Sequence, residues 1–126
     1  MVNLRKIKAI AEREFADIVV GARLIDAKVR VILHDTSYID FWWSLELPGR
    51  FAYHWQRKHV DGTIYRHDNA PHTVWAHIPT FPHHYHQGSE GNVVASFLPT
   101  DPEAAVREFL GFARQILSER EKGGPT

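Results

Sequence analysis

The chain has 126 residues, 15 Lys and Arg against 15 Asp and Glu, nine His and no Cys. This length indicates one domain spanning residues 1–126, and the absence of Cys excludes disulfides, Cys-ligated zinc and thiol nucleophiles. No apolar run approaches the roughly 20 residues of a membrane span, so we expect a cytoplasmic protein with no membrane partner. The zero net charge excludes nucleic-acid binding through bulk positive charge.

The predicted elements begin with a helix at about residues 3–19. Apolar side chains recur there at three- to four-residue spacing, Asn3 is placed to cap the first turn, and Gly21 is a stop signal. Apolar and polar residues then alternate, which predicts strands separated by short turns. These strands are predicted at about residues 22–34, 38–47, 50–59 and 63–68.

Residues 69–91 are predicted to form a long His-rich loop, followed by a strand at about 92–98 and a helix at about 102–120. Residues 123–125, Gly-Gly-Pro, are expected to end that helix in a frayed tail. Short connections favour an antiparallel meander. The sequence therefore predicts an α+β fold, with a four- to five-stranded meander sheet and N- and C-terminal helices packed on one face. The other face is left open.

Histidine is concentrated in one part of the chain. Six of the nine His lie within residues 67–86, and residues 67–100 contain no Lys or Arg and only two acids, Asp68 and Glu90. Imidazoles titrate near neutral pH, so they set the charge of this segment. The functional site is therefore expected here and on the neighbouring strands.

Three short stretches carry most of the polar residues with chemical potential. They are Tyr53-His54-Trp55-Gln56, then Arg66-His67-Asp68-Asn69-Ala70-Pro71-His72, and Thr80-Phe81-Pro82-His83-His84-Tyr85-His86. A hairpin between the third and fourth predicted strands would place His54 beside Arg66 on the open face. A single loop His more often makes a structural hydrogen bond than binds a ligand. A functional site is therefore indicated only by the three stretches taken together.

In order and residue choice, these stretches resemble the TumE-like family of small toxins from prokaryotic toxin–antitoxin pairs. The resemblance implies a toxin whose partner is a separate helix-turn-helix antitoxin, and it does not supply a mechanism. His67 and Tyr85 fill variable slots of the signature, and His34, His59 and His77 lie outside it. The matching positions are His54, Gln56, Arg66, Asp68, Asn69, His72, His83, His84 and His86.

Metal-independent cleavage of RNA is the first interpretation of this residue set. Imidazoles straddle neutral pH and can act as acid and base, while an Arg fork can bind two phosphate oxygens. Residues 50–66 carry Arg50, Arg57, Lys58 and Arg66 against Asp61 alone, although such charges also protect exposed strand edges. The predicted catalytic residues are His54, Arg66, Asp68, His72, His83 and His86. The predicted substrate-binding residues are Trp42, Gln56, Asn69, His84 and Tyr85.

Two alternatives remain open. His83 and His86, together with His72 or Asp68, could bind Zn²⁺ or another transition metal, although no cofactor is the first expectation. The open aromatic face could instead bind a small ligand or a protein without catalysis, since a fold alone does not define a function. An exposed sheet edge also permits a homodimer.

Overall fold

One antiparallel sheet of seven strands forms the centre of the computed structural model, which describes residues 1–122. Each strand pairs with the next strand along the chain. The strands are β1 Val19–Ile25, β2 Lys28–Leu33, β3 Tyr38–Trp43, β4 Phe51–Arg57, β5 Thr63–Asp68, β6 His84–Gly88 and β7 Val93–Ala95. The helices are α1 Leu4–Glu14, α2 Lys58–Asp61 and α3 Pro102–Lys122, with one 3₁₀ turn at Thr73–Trp75. The predicted α+β meander is confirmed, with seven strands instead of four to five.

One additional strand arises because the predicted strand over residues 22–34 is a tight hairpin. Ile25 pairs with Lys28, and Asp26 in the turn takes a positive φ of 53°, which Asp tolerates better than most residues. The turn reverses which positions face the core. Val29 and Val31 are buried, whereas Ile25 lies on the opposite face from them.

The other additional strand, β6, lies inside the predicted His-rich loop. Its sequence, His-Tyr-His-Gln-Gly, offers no apolar alternation for a periodicity argument. The strand forms because its backbone pairs with β5 on one side and β7 on the other, with His86 opposite Arg66 and Val93. The segment is therefore a central strand of the sheet, and its side chains alternate between the two faces.

The two long helices cover one face of the sheet, as predicted. α1 is capped by the Asn3 side chain and ends at Glu14, earlier than expected, because the chain turns and β1 begins at Val19. From α3, Phe109 packs edge-on against Phe41, with 5.9 Å between the ring centroids. The predicted tail at residues 123–125 lies outside the described residues. Across residues 1–122, no helix has the length and apolarity that a bilayer span requires.

Arg57 does not belong to an exposed basic surface, although it contributes to the positive charge of residues 50–66. Its side chain is buried, stacks on Trp55 and donates hydrogen bonds to Asp35 at 2.7 Å and to Asp61 at 3.4 Å. Asp61 also pairs with Arg120 of α3 at 3.2 Å. Arg57 therefore links sheet and connections as a structural residue, and the exposed basic patch is smaller than the sequence suggested.

Candidate active site on the open face of the sheet

Three adjacent strands bring one Arg and two His into a row on the face away from the helices. His54 of β4 pairs with Arg66 of β5, and Arg66 pairs with His86 of β6. Paired residues of antiparallel strands project to the same side of the sheet. Asp40 of β3 continues the row beyond His54. The predicted neighbourhood of His54 and Arg66 is thus present, with His86 on the other side of Arg66.

The Arg66 guanidinium is the centre of the hydrogen-bond network in this row. Its Nε donates to Asp68 Oδ2 at 3.2 Å, and its Nη2 lies 3.1 Å from His86 Nε2. The Nη1 and Nη2 groups also donate to the two carboxylate oxygens of Glu90, at 3.0 and 2.9 Å. This bidentate arrangement is the one an Arg fork uses for carboxylates and phosphates. Arg66 is therefore preorganised to hold two oxygens of an anion.

Asp68 and His84 form a buried pair beside Arg66. His84 Nε2 lies 3.0 Å from Asp68 Oδ1, while His84 Nδ1 lies 3.0 Å from the Pro82 carbonyl oxygen. Both ring nitrogens of His84 therefore face oxygen atoms. The Trp75 ring, 6.2 Å from that of His84, packs against the pair. Asp68 thus orients a His, but the His it orients is shielded from solvent.

His54 and His86 both favour the neutral imidazole. Burial lowers the pKa of His54 below its ordinary value, and the positive charge of Arg66 lowers it further. Burial also lowers the pKa of His86, against the opposing effect of its hydrogen bond to the Glu90 carbonyl oxygen, 2.8 Å from Nδ1. With Nδ1–H donated to that carbonyl, Nε2 of His86 accepts from Arg66. His86 therefore holds the guanidinium in place, whereas His54 has no hydrogen-bond partner among the described residues.

Three of the predicted site residues lie outside this network. Tyr85 lies on the helix-covered face and stacks on His67, with ring centroids 4.0 Å apart. His83 is close to Phe51 of that same face, at 5.6 Å between centroids. His72 is exposed in the β5–β6 connection, just before the 3₁₀ turn. Strand alternation explains why Tyr85 is separated from the network, because His84 and His86 project from β6 on the opposite face.

The remaining predicted residues border the site. Asn69 accepts a hydrogen bond from the Phe51 amide at 2.9 Å and donates to the Gly49 carbonyl at 2.8 Å, so it joins two strand ends. Trp42 and Gln56 are half-buried on the open face, paired with Ala52 and Ile64 respectively. Trp42 is available as a stacking surface at the margin of the row, whereas both polar ends of the Asn69 side chain are already bonded to the backbone.

The described residues that could hold a metal ion overlap only in part with the predicted set. Asp68, His84 and His86 each offer one ligand atom, all within 4.8 Å of one another. His72 and His83 are not part of this group. The Arg66 guanidinium already bonds to Asp68 and His86, so a metal cation would have to compete with a fixed positive charge. The donor set suits a transition metal, but its surroundings suit hydrogen bonding better.

His67 adds a titratable group that the family signature treats as variable. It is largely buried, its Nδ1 lies 2.6 Å from Ser96 Oγ, and burial lowers its pKa to about 3. The unfolded chain has an ordinary His pKa of about 6.5 and so binds this proton at higher pH. Titration of His67 therefore leaves the free energy of unfolding unchanged above about pH 6.5. As the pH falls from there towards 3, the unfolded chain takes up the proton and the free energy of unfolding decreases.

We expect the free energy of unfolding to fall between pH 7 and pH 5, and to fall less steeply in His67→Gln. The difference in slope approaches about 1.4 kcal/mol per pH unit, the value for one proton. Urea denaturation at a series of pH values measures it, and His59→Gln, at an exposed position, serves as the control. Identical slopes for His67→Gln and the unsubstituted protein would contradict the assignment.

Glu90 belongs to the hydrogen-bond network around Arg66, although it is not among the site residues predicted from the sequence. It lies in the β6–β7 connection, 24 positions from Arg66 in the chain, and its side chain is 51% exposed. A signal for it was present, because Asp68 and Glu90 are the only acids in residues 67–100. Both of them bind Arg66 in the folded protein. Burial opposes ionisation of Glu90, but the hydrogen bonds from Arg66 hold its pKa below the ordinary value.

The fold and the site define a small α+β protein whose uncovered sheet face carries an arginine between histidines. Comparison with family models assigns this class of protein to a family of toxins, with a match to the model described as toxin TumE over residues 4–117. The chain therefore belongs to the TumE toxin family. Membership indicates a toxin component and, in general, a cognate antitoxin as its partner. Among curated proteins and solved structures, none matches the chain.

Proposed function

We propose that this TumE family toxin is an endoribonuclease that cleaves RNA at the open-face site without a metal ion. The observation that carries the proposal is the row His54–Arg66–His86, in which an anion-binding fork lies beside a half-buried imidazole that has no hydrogen-bond partner among the described residues. RNA cleavage needs a base for the 2′-hydroxyl, an acid for the leaving oxygen and a cation for the phosphate.

His54 is the proposed general base. Its lowered pKa leaves the ring neutral near pH 7, and a neutral ring has a lone pair that can accept the 2′-hydroxyl proton. The O2′ oxygen then bonds to phosphorus while the bond from phosphorus to the O5′ oxygen breaks. A second imidazole must donate a proton to O5′. We assign this role to His72, which is exposed on the loop that leaves β5 at the site.

Arg66 is proposed to stabilise the negative charge that develops on the phosphate. Asp68 and His86 hold the guanidinium from behind, at 3.2 and 3.1 Å, and preorganised donors of this kind contribute more than flexible ones. The buried Asp68–His84 pair fixes Asp68 in turn. Trp42 is proposed to stack on an unpaired base at the margin of the site. In this assignment His84 and His86 position other groups and do not contact RNA.

Expression of the protein in a bacterial host tests the proposal. We expect growth inhibition by the unsubstituted protein, and a loss of RNA cleavage of about 100-fold or more in His54→Ala and His72→Ala, the range for removal of a general acid or base. His77→Ala is the matched control, because His77 is an exposed His in the same loop and outside the site. Full activity of His54→Ala would remove the base assignment.

Two further arms of this experiment separate the alternatives. Activity that persists in a chelator, with no stoichiometric metal by elemental analysis, supports the metal-free mechanism. Stoichiometric Zn²⁺ that is lost on Asp68→Asn together with activity would favour a metal enzyme.

We also propose that the antitoxin is a helix-turn-helix protein. Co-expression of such a protein encoded beside this chain is then expected to restore growth. A protein that neither cleaves RNA nor inhibits growth would leave a binding function.

A further inference from the structure

The carboxylate of Glu90 occupies the part of Arg66 that a phosphate would need. Its two oxygens accept from Nη1 and Nη2 of Arg66 at 3.0 and 2.9 Å. Arg pairs with carboxylates and phosphates through the same two parallel hydrogen bonds. A phosphate group and Glu90 therefore cannot take this edge of the guanidinium at the same time.

We propose that Glu90 is a built-in competitor at the phosphate site, and that its side chain must swing away before an RNA phosphate binds to Arg66. This inference rests on the proposed function of Arg66 as the phosphate-binding residue. It adds a regulatory residue that the family signature does not contain. Glu90 is a positioning and gating residue here, since it contacts neither the reacting oxygens nor the leaving group.

The ion pair between Arg66 and Glu90 is partly exposed to water, so a phosphate can compete with the Glu90 carboxylate for Arg66. The Glu90 side chain is 51% exposed and that of Arg66 is 25% exposed, and ion pairs in contact with water contribute little free energy. Asp68 and His86 hold Arg66 from its buried side. When Glu90 leaves, the guanidinium stays in place with its outer edge free. An RNA phosphodiester carries one negative charge, as the Glu90 carboxylate does, so the two anions compete for this edge on similar terms.

Only the Glu90 side chain has to move. Its backbone carbonyl accepts a hydrogen bond from His86 Nδ1 at 2.8 Å. The β6–β7 connection is also closed by Gln87 and Asn92, through a backbone hydrogen bond of 2.9 Å and a side-chain bond of 2.9 Å. Gly88 supplies the positive φ of 84° that this connection needs. The turn remains anchored while the carboxylate rotates into solvent.

Titration with inorganic phosphate, followed by the NMR signals of the backbone amides around position 66, tests the inference directly. These signals remain observable when Arg66 is replaced. We expect Glu90→Gln to raise phosphate affinity about fivefold, because removal of a competing pair of this exposure restores the population with an open fork. Glu46→Gln is the matched control, since it removes the same charge at an exposed position outside the site. Its phosphate affinity should stay the same.

The gain must depend on Arg66. In the double variant Arg66→Ala with Glu90→Gln, the fivefold gain is expected to disappear. Unchanged phosphate affinity in both Glu90→Gln and Glu90→Ala would overturn the inference, as would an equal gain in Glu46→Gln. A gain in phosphate affinity without any RNA cleavage would keep the role of Glu90 and overturn the ribonuclease proposal. RNA cleavage without any gain in phosphate affinity would keep the ribonuclease proposal and overturn the role of Glu90.

Discussion

Arg66→Ala is expected to abolish growth inhibition and to lower RNA cleavage about 100- to 1,000-fold. The range is the one measured when a single preorganised donor to a developing oxyanion is removed. Arg66 bonds to Asp68, His86 and Glu90, so its removal eliminates the anion fork and separates the groups around it. Growth on induction and the initial rate of RNA cleavage by purified protein measure the effect.

Two other variants show whether the fork itself is needed. Arg66→Lys keeps the charge but loses the planar pair of donors, so we expect it to recover only a small part of the activity. Arg50→Ala removes a positive charge from the same chain segment outside the site, and it should remain toxic. Because the Arg66 side chain is 25% exposed, circular dichroism is expected to show a folded Arg66→Ala protein. Full toxicity of a folded Arg66→Ala protein would disprove the site assignment.

Arg57→Met is expected to lower the free energy of unfolding by about 3 kcal/mol, near the lower end of the cost of breaking a buried ion pair. The Arg57 side chain is 2% exposed, but its partners Asp35 and Asp61 keep 19% and 20% exposure, so water relieves part of the penalty on them. The loss includes the stacking of the guanidinium on Trp55, 4.6 Å from the ring centroid. Urea denaturation at pH 7 measures the change.

The adjacent Lys58 provides the control for Arg57. Lys58 is exposed, and Lys58→Met should change stability by less than about 0.5 kcal/mol, as is usual for surface substitutions. A loss below 1 kcal/mol in Arg57→Met would show that the network is not structural. At temperatures where it remains folded, Arg57→Met should still cleave RNA, because Arg57 lies on the helix-covered side of the sheet.

The parts of the fold that the sequence predicted are those with strong periodicity. Alternation around Phe41 and Tyr53 identified the sheet face that the helices cover, and both are buried there. The hairpin at Asp26 was missed because a two-residue turn without Gly leaves the alternating pattern almost unbroken. Strand β6 was missed because its core-facing and open-facing residues are all polar or aromatic. Its formation depends on pairing with β5, which lies well before it in the chain, as well as with the neighbouring β7.

The candidate site was predictable at β4 and β5 and uncertain beyond them. His54 and Arg66 lie opposite each other on β4 and β5, and the hairpin predicted between these strands already placed them side by side. The local sequence does not show that His84 and His86 face one side of the sheet while His83 and Tyr85 face the other. That assignment requires knowing that the segment is a strand. Arg57 was included among the exposed charges because the sequence alone does not show which charged side chains tertiary packing buries. The contact of Glu90 with Arg66 depends on tertiary structure in the same way.

The position of α3 in the chain has a consequence for biosynthesis. This helix follows all seven strands, yet Val106, Phe109 and Leu110 from it complete the cover over the apolar face of the sheet. A nascent chain that lacks these residues leaves large aromatic side chains in water, which costs about 25 cal/mol for each Å² of apolar surface. We therefore expect the sheet that carries His54 and Arg66 to become stable only after α3 has left the ribosome. A toxin built in this order is expected to acquire a stable site only after α3 has been synthesised, and chains interrupted before α3 are expected to be harmless to the cell.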